Sequence, residues 1–320
     1  MNITVLGCGR WGSFLAWYHG KSHNVTLWGK DSSRAYKALC VSRSNDYLTL
    51  PNSVALTSSL QCAVNASKVI IISIGAQQLR SLLCEINELD VKDKLFILCM
   101  KGIEASSGLR LSEVFSQAIT QNAKVAVWVG PGHVQDFTKG IPNCMVVDSA
   151  DKDTIEWIVN NLNSDLIRLY KGHDLIGTEV GAAAKNVIGI AAGMLDGKGL
   201  SSMKGALMAR GAREVARLIS AMRGSELSAY GLCHLGDYEA TLFSAHSHNR
   251  RFGESYIKGE PYSMLAEGVP TAAALMELAR KYNVDMPICD TVYKILYENQ
   301  NADDALQRLF RRSVKNEFDL

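Results

Sequence analysis

At 320 residues, 47% hydrophobic and 21% charged, the chain is long enough for two domains and too apolar to stay disordered. Its 34 basic residues against 32 acidic ones leave a formal charge of +2, which argues against nucleic acid or a membrane surface and leaves a small anion at a local cationic pocket as the expected charged partner. The eight cysteines form no CxxC pair and sit mostly in apolar runs, the pattern of a reducing compartment.

Met1 leads directly into Ile3-Thr4-Val5-Leu6 with no basic leader, and no apolar stretch approaching a membrane helix stands out, so a cytoplasmic protein without a membrane span is expected. Residues 2 to 6 read as a buried strand, Gly7-Cys8-Gly9-Arg10-Trp11-Gly12 as a turn, and Phe14, Leu15, Ala16 and Tyr18 as the apolar face of a helix. In that setting Gly7 permits the tight turn, Gly9 lets the backbone close on a pyrophosphate, and Gly12 lets helix and strand pack, while the helix N-terminus offers free N–H groups to the anion. A second strand, Val25-Thr26-Leu27-Trp28, follows and makes the glycine pattern a dinucleotide-binding signal. After it, Gly29-Lys30-Asp31 stands where an NAD-selective site carries a carboxylate for the ribose. Lys30 suits a 2′-phosphate and Asp31 an unphosphorylated ribose, so the cofactor is NAD or NADP, with a lean toward NADP or dual use. Solvated loop charges account for both residues equally well.

Residues 32 to 60 read as a helix and a loop ending near Leu50-Pro51, with Thr57-Ser58-Ser59-Leu60 entering another helix. Val69 to Ile74 is the β-branched run of a central parallel strand, closed by Gly75-Ala76-Gln77-Gln78 before a helix carrying Leu79, Leu82 and Leu83. Leu95 to Met100 is another buried strand with Lys101-Gly102 at its carboxyl end, where a cation either faces a ligand crevice or is simply the first solvated residue. Val125 to Val129 runs into Gly130-Pro131-Gly132-His133, and Cys144 to Val147 adds a strand. This alternation predicts a doubly wound α/β unit over residues 1–172, followed by an all-α unit over 173–320.

The second unit opens on a helix from His173 to Ile190 whose one lysine is Lys185. Gly181 and Gly189 flank it by one turn, with Ala182 and Ile188 alongside, which predicts a narrow channel past the amine. Dry surroundings would bring that amine toward proton exchange near neutral pH. The alternative is a tightly packed helix with Lys185 snorkelling to water. Farther on, Met208, Val215, Ile219 and Met222 recur at helical spacing, with Arg210, Arg213, Glu214 and Arg217 read as solvated faces. In the loop that follows, Asp237 can hold a lysine amine, and Asn249 with Arg250 at a helix start can hold a phosphate. His246 and His248 near Asp237 invite a metal but are read as solvent-facing, and no metal is expected. Helices follow around 272–282, 291–297 and 304–312.

Together these segments resemble the bacterial-type NAD(P)-dependent glycerol-3-phosphate dehydrogenases over nearly the whole length. The resemblance rests on the glycine turn, Met100-Lys101-Gly102, Gly130-Pro131, Gly181 to Ile188 with Asp196-Gly197, Leu235-Gly236-Asp237, Asn249 to Gly253, Glu267-Gly268-Val269 and Met286-Pro287-Ile288. It implies a Rossmann-like first domain, a homodimer, and hydride transfer between NAD(P)H and dihydroxyacetone phosphate to give sn-glycerol 3-phosphate for phospholipid synthesis. It implies Lys185 as acid/base, with Lys101 and Asp237 completing the catalytic set. Cofactor contacts are implied for Gly7, Gly9, Arg10, Trp11, Gly12, Lys30, Lys101, Val134, His248 and Glu267. The small phosphorylated substrate is implied to meet Lys101, Gly130, Gly132, Lys185, Asn186, Asp237, Ser247, His248, Asn249 and Arg250.

Four departures bear on the substrate side. His248 replaces the first arginine of Ser-Arg-Asn-Arg, Leu200 to Lys204 replaces Gly-Asp-Asn-Thr-Lys, Gly132 stands where serine is common, and Gly75 where proline is usual. They keep open a relative that reduces a different small ketone, or a nucleotide-sensing protein without turnover.

Overall fold

A computed structural model describes residues 1–313, 316 and 317. The first part is a single sheet of β1 (Asn2–Leu6), β2 (Asn24–Trp28), β3 (Ala55–Thr57), β4 (Val69–Ile72), β5 (Leu95–Leu98), β6 (Lys124–Val129), β7 (Asn143–Asp148) and β8 (Ile167–Lys171), in the order β3-β2-β1-β4-β5-β6-β7-β8. Helices α1 (Arg10–His19), α2 (Arg34–Ser42), α3 (Leu60–Asn65), α4 (Leu79–Asn87), α5 (Leu111–Ala118), α6 (Val134–Thr138) and α7 (Lys152–Leu162) connect them. The central strands are apolar without alternation because both faces are covered. Ile71 and Ile97 enter the core on one side, while Ile70, Ile72, Phe96 and Leu98 enter the core on the other.

Three features differ from the expectation. Strand β3 lies in a stretch read as loop and helix entry, because one exposed and two half-exposed residues carry no hydrophobic period. Strand β7 runs antiparallel to β6, since the short crossing between them holds only the five-residue α6. Strand β8 pairs parallel to β7; its alternation of buried Ile167 and Leu169 with exposed Arg168 and Tyr170 is that of a half-buried strand, but at five residues it is too short for the period to stand out.

The remainder is helical: α8 (Leu175–Gly197), α9 (Lys204–Ala221), α10 (His248–Lys258), α11 (Gly268–Tyr282), α12 (Pro287–Tyr297) and α13 (Ala302–Phe310). Contrary to the expectation of no such stretch, α8 is long and apolar enough to cross a membrane, but 89% of its most apolar stretch is buried by the protein's own elements. Glu179, near its start, accepts from Ser112 N, Ser112 Oγ and Arg110, which locks α8 against the start of α5. Its small-residue stripe is where α10 lies: a Cβ on Gly193 would sit 1.9 Å from Arg250 O, and one on Gly253 would sit 2.1 Å from Ile190 O. Gly193→Ala is therefore expected to cost about 3 kcal/mol of overpacking, read as a lower denaturant midpoint.

Glu214 corrects another expectation. It is not on a solvated face but 1% exposed, accepting from the backbone N–H groups of Ile288 and Cys289 at the start of α12. Burial raises its pKa to about 7. A carboxylate placed among arginines misleads a helical-wheel reading when it caps a neighbouring helix.

Candidate active site

The carboxyl ends of the parallel strands open into a crevice of about 690 Å³, closed on its far side by α8, the segment before α10, and the start of α11. At one end is the glycine turn. Gly7 has φ +114°, and a Cβ there would meet Ser73 O at 2.1 Å, so only glycine fits the turn. A Cβ on Gly12 would strike Gly7 O at 1.9 Å, whereas Gly9 faces open space and begins α1 with no side-chain cap. The uncapped first-turn N–H groups are therefore free to receive an anion. Arg10, Trp11, Lys30 and Val134 line the same void, and Arg10 reaches across it to donate to His246 O at 3.1 Å. Asp31 is not among the lining residues.

Glu267, just before α11, accepts from Ala76 N at 3.1 Å through one carboxylate oxygen, and its other oxygen is buried with no partner. Burial raises its pKa. A donor-seeking oxygen in a crevice that also holds a glycine turn fits a ligand hydroxyl, as a dinucleotide would bring.

Deeper in, two amines converge on one carboxylate. Lys101, three residues past the end of β5, donates to Gly130 O at 2.6 Å and to Asp237 Oδ2 at 2.5 Å. Lys185, in the middle of α8 and only 7% exposed, lies 3.0 Å from Asp237 Oδ2 and donates to Thr241 Oγ1 at 2.7 Å. Burial, opposed by Asp237 and aided by Lys101, lowers the Lys185 pKa to about 8. The lysine does not snorkel. Nor does an open channel run past it, because Cys233 and His234 pack against Gly181, and Thr241 and Asn249 against Gly189. The small residues serve packing, and the amine faces the crevice from inside it.

Asn186, the next residue of α8, donates to Lys101 O at 3.2 Å and accepts from Asn249 Nδ2 at 3.0 Å, while Asn249 Oδ1 accepts from Gly268 N at 2.9 Å. Ser247 caps α10 by accepting from Arg250 N. His248 lines the crevice, with its Nδ1 2.7 Å from Tyr262 Oη; burial, Arg10 and Arg251 lower its pKa to about 4, which keeps it neutral. Gly132 borders the void, and Gly130 contributes only its carbonyl.

Two substrate-side expectations fail. Arg250 does not enter the crevice: its guanidinium is held by Asp196 at 2.8 Å, Glu254 at 3.0 Å and Ser244 O at 3.1 Å, beneath the α8 and α10 contact. Ser201-Ser202-Met203 is not beside Lys185; it sits beyond the end of α8, where Ser201 binds Asp196, about 16 Å along the helix from the amine. Sequence reasoning passed over Thr241, whose only signal is its place four residues after Asp237. It also passed over His133, whose Nε2 is buried without a partner at the crevice wall. Among the described residues no three His, Cys, Asp or Glu side chains gather as a metal site.

Comparison with known proteins follows the same outline. Residues 2–155 match the N-terminal family model of NAD-dependent glycerol-3-phosphate dehydrogenase and residues 174–307 the C-terminal one. Similar curated proteins include the glycerol-3-phosphate dehydrogenase [NAD(P)+] of Pelodictyon phaeoclathratiforme, 34% identical across all of both chains, and that of Fusobacterium nucleatum, 33% identical across 99% of each. Among solved structures, a glycerol-3-phosphate dehydrogenase from Coxiella burnetii superposes with a TM-score of 0.90 at 26% identity, covering 97% of this chain and 99% of the other.

Proposed function

Because the chain belongs to the NAD-dependent glycerol-3-phosphate dehydrogenase family, we propose that its buried two-lysine crevice is the active site, with Lys185 as the group that gives and takes the proton. The protein is an NAD(P)-dependent oxidoreductase that interconverts dihydroxyacetone phosphate and sn-glycerol 3-phosphate. When bound, NAD(P)H supplies the hydride. Gly7, Gly9, Arg10, Trp11, Val134 and Glu267 would hold the cofactor, with Lys30 near its adenosine end, an arrangement that accepts NADP as well as NAD, while Gly12 lies behind the turn and lets α1 pack against it.

As the ketone oxygen gains negative charge, Lys185 Nζ stabilises it and delivers its proton, and Lys101 Nζ adds a second positive charge close by. Asp237 and Thr241 orient Nζ, so the amine arrives pointed rather than mobile. Asn186, Asn249, Ser247, His248 and Gly132 would surround the rest of the substrate, whose phosphate meets no contribution from Arg250. One observation carries this reading: the lysine with the tuned amine lines the same crevice as the glycine turn.

Steady-state oxidation of NADH and NADPH tests it. Dihydroxyacetone phosphate is expected to exceed unphosphorylated dihydroxyacetone in kcat/KM by about 10³-fold, the worth of anchoring charge through several hydrogen bonds. Equal rates with both would assign the crevice to another ketone. His248→Arg is expected to lower the KM for the phosphate ester about tenfold, one charge-assisted bond; an unchanged KM would remove residue 248 from the phosphate end. The pH profile carries a sign. Ketone reduction needs the ammonium form of Lys185 and should fall above pH about 8, while alcohol oxidation needs the free amine and should rise through the same pH.

We also propose that residues 1–172 and 173–320 are the two domains, and that the enzyme works as a cytoplasmic homodimer. The reducing pattern of the cysteines supports the compartment, and light scattering at assay concentration tests the assembly.

A further inference from the structure

Asp237 is held against Lys185 by more than its own ion pair. Three residues before it stands His234, completely buried, and directly after it Tyr238, also completely buried. His234 Nδ1 lies 2.8 Å from Gly181 O, and Tyr238 Oη lies 2.7 Å from His234 Nε2. A carbonyl oxygen only accepts, so Nδ1 carries the hydrogen and Nε2 accepts the tyrosine's O–H. Burial keeps the ring neutral, its pKa lowered to about 4, which preserves this arrangement across the working pH range.

The carbonyl chosen is informative. In an α-helix the oxygen of residue 181 accepts from the N–H of residue 185, so the imidazole grips the same peptide group that the lysine's backbone grips. At the other end, the N–H of Asp237 donates to His234 O at 3.0 Å. Close approach is permitted by two glycines: a Cβ on Gly181 would lie 3.2 Å from His234 Cβ, and one on Gly211 would lie 3.1 Å from Tyr238 Oη. The residues thus form a rigid strut from the turn carrying Asp237 to the helical turn carrying Lys185.

We propose that His234 and Tyr238 are positioning residues for the reaction, setting the separation between the Asp237 carboxylate and the Lys185 amine without touching substrate or cofactor. The charged and titratable groups around the strut are Lys185 on α8, Lys101 after β5, Asp237 and Cys233 on the strut's own segment, Glu214 on α9 and Cys289 on α12. Of these, Asp237 is the one that favours the ammonium form of Lys185, and its influence falls with distance. Slackening the strut lets the carboxylate drift, weakens that support, and brings the lysine's proton loss to lower pH.

This inference rests on the acid/base reading of Lys185, and the test separates the two. Wild type, Tyr238→Phe, His234→Leu and His234→Asn are compared for kcat and KM in dihydroxyacetone phosphate reduction across pH 6 to about 10, a range bracketing the lysine, with NADH affinity measured by fluorescence. His234→Asn retains a donor where Nδ1 stood. Tyr238→Phe and His234→Leu are expected to lower kcat about 10- to 100-fold, to move the alkaline limb down by about half to one pH unit, and to leave NADH affinity unchanged. His234→Asn should recover most of the kcat lost in His234→Leu. An alkaline limb that stays at its wild-type position in both Tyr238→Phe and His234→Leu overturns the proposal, as does a loss of kcat matched by an equal loss of NADH affinity. Should His234→Leu fail to fold, the nearly isosteric Tyr238→Phe decides alone. A wild-type profile with no limb near pH 8 would instead overturn the Lys185 assignment and this inference with it.

Discussion

Lys185→Ala is expected to reduce kcat/KM for dihydroxyacetone phosphate by about 10³- to 10⁴-fold, since it removes both the proton donor and an electrostatic stabiliser of the developing alkoxide. Affinity for NADH should stay within about threefold, because the glycine turn, Glu267 and α1 do not depend on the amine. The fold should persist as well: the side chain leaves a small gap at the crevice wall, and removing a buried amine relieves a desolvation cost. Single-turnover kinetics with saturating NADH measures the first quantity, and fluorescence titration the second. Loss of folding or of cofactor affinity on the same scale as activity would assign Lys185 to packing alone.

The second large effect is expected at Asp237. Its carboxylate, 1% exposed, is the shared partner of Lys101 and Lys185. Asp237→Asn keeps the shape and removes the charge, so two amines face each other across a neutral amide. Lys185 then loses the group that holds its proton, and the reductive reaction should fall about 10²- to 10³-fold at pH 8. Much of that loss should return as the pH is lowered, because protonation of Lys185 is restored below its new, lower pKa. Wild type, with its ammonium already formed at neutral pH, should gain little over the same range. A defect in Asp237→Asn that is constant from pH 6 to pH 9 would mean the carboxylate acts by geometry alone; that range spans the Lys185 titration near pH 8.

How much of this was legible in the sequence follows the range of the interactions involved. The glycine turn is local, with strand, turn and helix adjacent in the chain, and its spacing alone predicts the crevice's nucleotide end. The buried strands β1, β4 and β5 announce themselves because continuous apolar runs have one main explanation in a sheet covered on both faces. Strands β3 and β8, half-exposed and of three and five residues, are too short to do so. The pairing of Lys101 with Lys185 joins residues 84 positions apart and became readable only through resemblance to a family. Arg250 shows the opposite failure. Its neighbours Ser247 and Asn249 do face the crevice, but one step around α10 turns its guanidinium to Asp196 on α8, a contact no linear spacing reveals. Small residues around Lys185 were read as room for a ligand; they are room for α10 and the Asp237 turn.

A lone carboxylate is answered by two ammonium groups at the foot of the crevice, so at neutral pH a surplus positive charge sits inside walls of low polarisability. Such a charge projects its field outward through the mouth. Dianionic metabolites are drawn in before any atom touches, neutral ones drift past, and added salt should slow capture of the former while leaving the latter indifferent.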